Sequence, residues 1–278
     1  MEETIEDDGL ITPVVGPWSL RKYELIEYYT HLFATGMKKK WDCRVYIDLF
    51  AGAGRSMIQR TNKVVLSSPM LALKVHDFID KYIFCEIDSE NFVALQERVQ
   101  SKYPHADVSI IQGDTNENVQ NIIDLIPQSS PQFSVLSFCF ADPYKMANLK
   151  FATIELLAKY RMDFLVLIPS YMDAVRNRNL YSHEESIKVE NFMGDPSWRI
   201  KWERAEVEGK SFAQFFLESF GRQMESLGYL NDIHVTVLVR HGRRPLYHLA
   251  FFSKHERGMD FWRKARKGTD PQRTFAFD

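Results

Sequence analysis

Along the chain, short apolar runs alternate with stretches in which apolar positions recur every three or four residues, so strands and helices are expected to follow one another. After a lead-in, "TPVVGPW", that contains two prolines and a glycine, the segment "SLRKYELIEYYTHLFATG" carries Leu20, Tyr23, Leu25, Ile26, Tyr28, Tyr29, Leu32 and Phe33 behind Ser19 and ahead of Gly36, which predicts a helix. The alternation then predicts strand 45–50, helix 68–79, strand 82–87, helix 89–102 and strand 108–113. It continues with helix 117–126, strand 135–142, helix 147–160 and strand 163–170. Several of these strands are almost continuously apolar, as expected where helices cover both faces of a parallel sheet. Residues 171–210 break the rhythm with polar and aromatic sequence and are expected to carry short helices. A helix over 211–226, with Gly228 as its stop, leads to "IHVTVLV" and "LYHLAFFS", which, joined only by "RHGRRP", must run antiparallel.

The expected fold is α/β: a Rossmann-like doubly wound sheet, mostly parallel, with a C-terminal antiparallel hairpin. Residues 1–278 are expected to form one domain with a helical N-terminal extension over about 1–40 and an insertion over about 171–210. No internal repeat, low-complexity tract or interdomain linker interrupts it. The chain order resembles that of the class I S-adenosylmethionine-dependent methyltransferases, whose last strand inserts antiparallel into a seven-stranded sheet. A doubly wound nucleotide-binding fold without that hairpin is the alternative.

In such a sheet a ligand sits beyond the carboxyl ends of the strands, where the strand order reverses. The first strand ends in Asp48, Leu49, Phe50, Ala51, Gly52, Ala53 and Gly54; the second in "CEID", with Glu86 and Asp88; the third in "QGD", with Asp114; the fourth in "ADPY", with Asp142, Pro143 and Tyr144. Each end carries a carboxylate. Gly52 and Gly54 form a G-x-G turn without the third glycine of the dinucleotide fingerprint, whose place Met57 takes, which speaks against NAD. For a nucleoside cofactor, Gly52 and Gly54, flanked by Phe50 and Ala51, allow close backbone approach to the methionine part, and Asp48 is the candidate for its ammonium group, directly or through water. Glu86 is the candidate acceptor for the ribose hydroxyls, with Asp88 behind it, and Asp114 for the adenine amino group; a helix cap is the alternative role for Asp114.

The pieces "YIDLFAGAG", "SSPMLAL", "FCEIDSENFVALQERV", "IQGDTNENV", "FADPYKMANLKFATIELLAKYRMDFLVLIPS", "FMGDPSW" and "HLAFFSKHERGMDFW", in this order, resemble the three-Cys-motif partner family, a bacterial group with a methyltransferase-like fold. The likeness runs from about Arg21 to Trp262, with Ser67 where the family usually has glycine and Tyr144 where it often has phenylalanine. The resemblance implies S-adenosylmethionine as cofactor. It also leaves open a protein that keeps the fold and acts in complex with a three-Cys-motif protein.

"FADPY" further resembles the strand-end motif of amino-group methyltransferases acting on bases, where an acidic or amide residue, two prolines and an aromatic grip an exocyclic amine. Only one proline stands here, but an acceptor carboxylate and an aromatic platform remain, so Asp142, Pro143 and Tyr144 are the candidate catalytic residues, on a nucleic-acid or nucleotide amine. The alternative is a plain Asp-Pro turn with Tyr144 packed on the next helix. Tyr171, Tyr181, Trp198 and Trp202 in the insertion are candidate stacking faces or core, and Arg176 and Arg178 candidate phosphate contacts or solvated charges.

Composition narrows the class. Lys and Arg number 35 against 37 Asp and Glu, for a net charge of −2, but Glu2, Glu3, Glu6, Asp7 and Asp8 crowd the start. Arg240, Arg243, Arg244, Lys254, Arg257, Arg263, Lys264, Arg266 and Lys267 crowd the end, so an anionic partner or a solvated surface is expected there. Cys43, Cys85 and Cys139 are far apart, and none of the eight histidines forms an H-x-x-x-H or a His/Cys cluster, so neither a metal nor a disulfide framework is expected. With no leader and no apolar run near the roughly 18 residues that cross a bilayer, a cytoplasmic protein without membrane contact is expected.

Overall fold

The structure is a computed structural model that describes residues 5–76, 78–178, 186–231 and 236–269. Tyr181, His183, His234, Glu2, Glu3 and the opening of "IHVTVLV" lie outside the described residues. By its internal contacts the chain divides into two compact units, the first of residues 1–138 and 268–278, the second of residues 139–267.

In the first unit the lead-in contributes a short strand, β1 (Val14–Val15), before helix α1 (Ser19–Met37). β2 (Cys43–Asp48) runs straight into the glycine turn. A hairpin absent from the sequence expectation follows, β3 (Arg55–Ile58) and β4 (Val64–Leu66), turned by Arg60 and Asn62 at positive φ. β1 pairs parallel with β3, Val14 opposite Met57, and β3 antiparallel with β4, forming a separate three-stranded sheet. Met57, at the place of the missing third glycine, is thus a strand residue.

Helix α2 (Ser68–Leu73) is shorter than expected. From Lys74 the chain continues in tight turns, with the amides of Val75, His76 and Phe78 each donating to the carbonyl three residues back. β5 (Lys81–Glu86), α3 (Ser89–Lys102), β6 (Val108–Gln112), α4 (Val119–Leu125) and β7 (Val135–Ala141) follow as the pattern predicts, within a residue or two. β2 pairs parallel with β5 and β5 with β6, and β7, whose residues to Phe138 belong to this unit, stands on the other side of β2. Strand order therefore reverses beside β2. Every residue of β2 and β7 is buried; β7 accordingly reads as a nearly continuous apolar run, whereas β2 also buries Arg44, paired with Asp80, and Asp48. α1 closes one face with Tyr29 and Phe33, whose rings lie 4.6 and 5.8 Å from that of Phe138. Each such fully buried side chain contributes roughly 1.5–3 kcal/mol by leaving water.

In the second unit the expected helix 147–160 is broken. A 3₁₀ turn (Met146–Asn148) is closed by the amide of Lys145 on Asn148 Oδ1, Lys150 is extended, and α5 (Phe151–Leu157) starts anew so that Leu149 and Phe151 are both buried. β8 (Met162–Ile168) leads into a π-helical segment (Ser170–Val175). α6 (Lys188–Met193), α7 (Trp198–Val207) and α8 (Phe212–Ser226) precede β9 (Val237–His241), β10 (Arg244–Phe252) and α9 (Glu256–Gly268). From Cys139 on, β7 stands beside β8; β10 lies antiparallel between β8 and β9, with His248 opposite Ile168 and Phe252 opposite Phe164. The insertion of an antiparallel strand beside the last parallel one is what the methyltransferase resemblance implies, and the architecture is mixed α/β with a mostly parallel sheet.

Trp198 belongs to the core of this unit: it is 1% exposed, with the Phe212 ring 6.2 Å away and the Arg199 guanidinium 4.7 Å from its own ring, so it is no free stacking face. Most of the C-terminal basic residues lie on β9, on β10 and on α9, a helix that turns Met259, Trp262 and Ala265 inward and its charges outward. The three cysteines are buried and in no disulfide; burial pushes the Cys43 thiol up to about 11 and that of Cys85 to about 12.

Candidate functional site

In the first unit three strand ends are tied to one another by hydrogen bonds. β2 hands over to the glycine turn at Asp48, which is completely buried and accepts from the Phe50 amide (3.2 Å) and the Tyr46 hydroxyl (3.4 Å). Ala51, also buried, donates its amide to the Cys85 carbonyl at the end of β5 (3.0 Å). Glu86 then crosses to the turn: Oε2 accepts the Gly52 amide at 2.6 Å while Oε1 accepts the Asp88 amide at 2.8 Å. The Glu86 carbonyl accepts from Gly113, at the end of β6, at 2.8 Å. Hydrogen bonds thus link the turn of Asp48, Phe50, Ala51 and Gly52 through Glu86 to Gly113 along the carboxyl ends of β2, β5 and β6, with Gly54 and Asp114 beside them in the chain.

The two glycines have different reasons to be there. Gly52 has φ +65° and nothing within 4 Å of where a Cβ would stand, so the turn faces open space. Gly54 has φ +82°, and a Cβ there would stand 2.9 Å from Met70 Cγ and 3.1 Å from Leu95 Cδ1. The first glycine keeps backbone accessible; the second lets the turn lie on α2 and α3.

The remaining carboxylates each have structural work. Asp88 is the N-cap of α3, with Oδ1 accepting from the amides of Glu90 (3.0 Å) and Asn91 (2.9 Å). Asp114 Oδ1 accepts from the Asn116 amide (2.7 Å), the Asn116 side chain (2.9 Å) and the Glu117 amide (3.2 Å), the capping role set beside the adenine role above. Sequence reasoning passed over Ile87. It stands between Glu86 and Asp88 and is 62% exposed, an apolar side chain at the strand end with no core to join. An apolar residue directly after a strand-ending acid was the available signal.

Arg98 was missed as well. This α3 side chain is 2% exposed; it donates to the Ala53 carbonyl in the glycine turn (2.6 Å) and to the Ile11 carbonyl (3.0 Å). It also makes a bidentate pair with Asp8, both contacts 2.8 Å, and Arg55 joins Asp8 at 3.0 Å and the Glu6 carbonyl at 2.8 Å. Glu6 and Asp8 are therefore tied to the side chains of Arg55 and Arg98, the latter of which also holds the glycine turn. The hydrogen bonds from Arg98, with its charge and that of Arg55, hold the Asp8 carboxyl at about 2, below its ordinary 3.8.

In the second unit Asp142 is half-buried after β7, Pro143 is buried and Tyr144 is 76% exposed, so the tyrosine is not packed on the following helix. The loop is anchored two residues on, where Asp173 Oδ2 accepts the Met146 amide at 2.7 Å and Oδ1 accepts from Asn177 at 2.8 Å. Ser170 Oγ and His248 Nδ1 are 2.7 Å apart just past β8, and burial pushes the His248 imidazole down to about 4, so it is neutral at physiological pH. Tyr171, Arg176, Arg178 and Trp202, scattered over some thirty positions of the insertion, line one cleft. Among the described residues no group of three or more His, Cys, Asp or Glu side chains is placed to hold a metal ion. No helix among them is long and apolar enough to cross a membrane.

Two outcomes follow from these ion pairs and the turn. Because the folded-state pKa of Asp8 lies below its unfolded value, its stabilising contribution is complete above about pH 4 and disappears as pH falls to about 2. Urea unfolding should show Arg98→Ala about 3 kcal/mol less stable at pH 7, the gap narrowing as pH falls from 4 to 2; a gap independent of pH would separate Arg98 from Asp8. Gly54→Ala should cost about 1–3 kcal/mol through its φ and its contacts with Met70 and Leu95, and Gly52→Ala less, in the same measurement.

No protein-family model matches the chain, and no curated protein matches it in sequence. Among solved structures, protein LPL1258 from Legionella pneumophila str. Philadelphia 1 is similar at 11% identity and TM-score 0.46, covering 90% of this chain and 93% of the other. Magnesium protoporphyrin IX methyltransferase from Synechocystis with bound SAH aligns at 8% identity and TM-score 0.42, over 84% of each chain. M. jannaschii TYW2 in complex with AdoMet aligns at 10% identity and TM-score 0.42, over 86% of this chain and 77% of that one.

Proposed function

We propose that the chain is an S-adenosylmethionine-dependent methyltransferase acting on an amine of a nucleic acid or nucleotide. The observation that carries the cofactor assignment is the Glu86 junction. A carboxylate oxygen has two acceptor sites, and each Glu86 oxygen gives one of them to a backbone amide, Gly52 on one side and Asp88 on the other. One site per oxygen is left, matching the two hydroxyls of a ribose. Gly52 opens beside it with no Cβ to fill the space, and Ile87 offers an apolar surface on which a purine face can lie. Phe50, Ala51 and Gly54 complete the turn, Asp48 holds it from beneath and places negative charge near a ligand ammonium, and Asp88 and Asp114 border the pocket on the β5 and β6 sides, Asp114 with an oxygen for an adenine amino group.

When bound, S-adenosylmethionine supplies a methyl group on a sulfonium whose leaving thioether is neutral, so the protein's task is alignment and exclusion of water. Asp142, or the Pro143 carbonyl, accepts a hydrogen bond from the acceptor amine and so aims its lone pair, while the exposed Tyr144 ring supports the base that bears it. The proton released as the new N–C bond forms passes to Asp142 or to solvent.

A second reading rests on the single proline of Asp142-Pro143-Tyr144 and on the resemblance to the three-Cys-motif partner family: a protein that keeps the cofactor pocket and works in complex with a three-Cys-motif protein. Both readings require S-adenosylmethionine to bind. Only the first yields S-adenosylhomocysteine when acceptor is added to the isolated chain.

Calorimetric titration tests the pocket. Because Glu86 also orders the turn, the ribose contact is isolated by comparing S-adenosylhomocysteine with its 2′-deoxy analogue: wild type should prefer the former by about 1–2 kcal/mol, and Glu86→Ala should lose that preference. An unchanged preference would remove Glu86 from ribose binding. Asp142→Ala should leave cofactor affinity near normal and abolish turnover; retained turnover removes Asp142 from the chemistry.

A further inference from the structure

Directly after β8 the π-helical segment and α7 enclose a cleft of about 480 Å³, within the range of roughly 300–1,000 Å³ typical of ligand sites. Tyr171, Arg176, Arg178, Trp202, Glu206 and Lys210 are among its lining residues. Trp202 is 8% exposed and fixed by Phe212 at 5.0 Å, ring edge to face. Its ring is overlaid by the Arg178 guanidinium at 5.7 Å, which also contacts Glu206 at 3.2 Å. Lys210 is held by Glu218 at 2.9 Å. Arg176 is exposed and has no ion pair among the described residues. Tyr171 is half-buried, one ring neighbour being His248 at 5.9 Å. The cleft therefore combines the half-buried ring of Tyr171, a guanidinium layered on the fixed ring of Trp202, and the guanidinium of Arg176, which has no carboxylate partner among the described residues. Among the described residues that line it, three side chains are cationic and one, Glu206, is anionic.

Rings beside guanidinium groups are what a base and its phosphate require together: the ring and the guanidinium plane stack on the base, and the charge meets the backbone. We propose that this cleft docks a single-stranded segment of nucleic acid, one nucleotide of which lies against Tyr171 with its phosphates on Arg176 and Arg178. The π-helical segment is the structural reason these groups share one wall, since it carries Tyr171 and ends one residue before Arg176. Asp173, within the same segment, holds the Met146 amide at 2.7 Å and so links the cleft wall to the loop of Asp142, Pro143 and Tyr144. The docking deepens the methyltransferase reading and rests on it for the chemistry done on the strand, though binding itself needs no cofactor. With the whole chain at a net charge of −2, affinity must come from this local set and not from a general attraction of polyanions.

Fluorescence anisotropy on the full chain, with fluorescein-labelled 12-mers of single-stranded RNA and DNA of mixed sequence and an acidic phosphopeptide as competitor, tests this. Saturable binding to an oligonucleotide is expected, with a slope of log affinity on log salt of about −1.4, as for two phosphate contacts on a single strand. Arg176→Glu and Tyr171→Ala should each weaken it tenfold or more. Tyr171→Phe should retain it, which guards against a folding defect in the alanine variant. Absence of oligonucleotide binding, equal binding by Arg176→Glu, or better competition by the phosphopeptide than by unlabelled oligonucleotide overturns the proposal. Calorimetry with S-adenosylmethionine on the same variants separates the two readings. Cofactor binding without oligonucleotide binding removes the docking cleft alone, whereas oligonucleotide binding lost only in the cleft variants supports it even if no cofactor binds.

Discussion

A single carboxylate organises the first unit's strand edge. Glu86 is 7% exposed, and its two oxygens take the amides of Gly52 and Asp88 while its carbonyl takes that of Gly113. Those amides belong to three separate strand ends, each of which would otherwise leave a buried or half-buried donor to find water. Charge-assisted bonds of this kind are about twice as strong as neutral ones, so the Glu86 side chain ties the glycine turn to the end of β5 more firmly than the backbone bond from Ala51 to Cys85 alone, while the link to β6 is made by its backbone carbonyl. An amide or hydroxyl residue in its place would offer a single acceptor oxygen to two donors. The demand for an acid here is therefore structural before any ligand arrives, and the same two oxygens keep the capacity to recognise a diol.

The Arg98 cluster does for the outer side of the turn what Glu86 does for the inner. A guanidinium at 2% exposure needs most of its donors satisfied, and the carbonyls of Ala53 and Ile11 and the carboxylate of Asp8 supply acceptors from two parts of the chain, the glycine turn and the N-terminal segment. Asp8, one of the acidic residues near the start of the chain, thereby becomes part of the turn's scaffold.

Much of the fold was legible because helix-covered parallel strands write themselves as apolar runs, and β5, β7 and β8 are nearly that. The strand-ending acids were legible for a related reason: a carboxylate closing such a run has few reasons to be there other than the edge itself. What stayed hidden depended on contacts distant in sequence. The β3–β4 hairpin is made of residues whose pairing with Val14 and Val15 no local pattern announces. The break near Lys150 follows from where Leu149 and Phe151 find the core. Arg98 and Ile87 look like a helix charge and an ordinary apolar residue until their surroundings are known. Trp198 and Trp202 were equally ambiguous between core and stacking face, and packing against Phe212 decided for the core in both, leaving Trp202 to act through the guanidinium laid over it.

The two units divide the chemistry along the chain. The first unit holds an open backbone turn, an acid with acceptor capacity to spare and an exposed apolar residue, the features on which the proposed nucleoside site rests. The second holds an exposed tyrosine after an Asp-Pro turn, a neutral histidine and a cationic aromatic cleft, features suited to presenting a base and its phosphate. A reaction whose leaving group is neutral asks for little beyond these: the barrier is lowered by holding a lone pair in line and keeping water away, both tasks of shape. On the proposed reading the Asp173 bridge matters for this reason, because its bond to the Met146 amide ties the loop that carries Tyr144 to the π-helical segment that carries Tyr171.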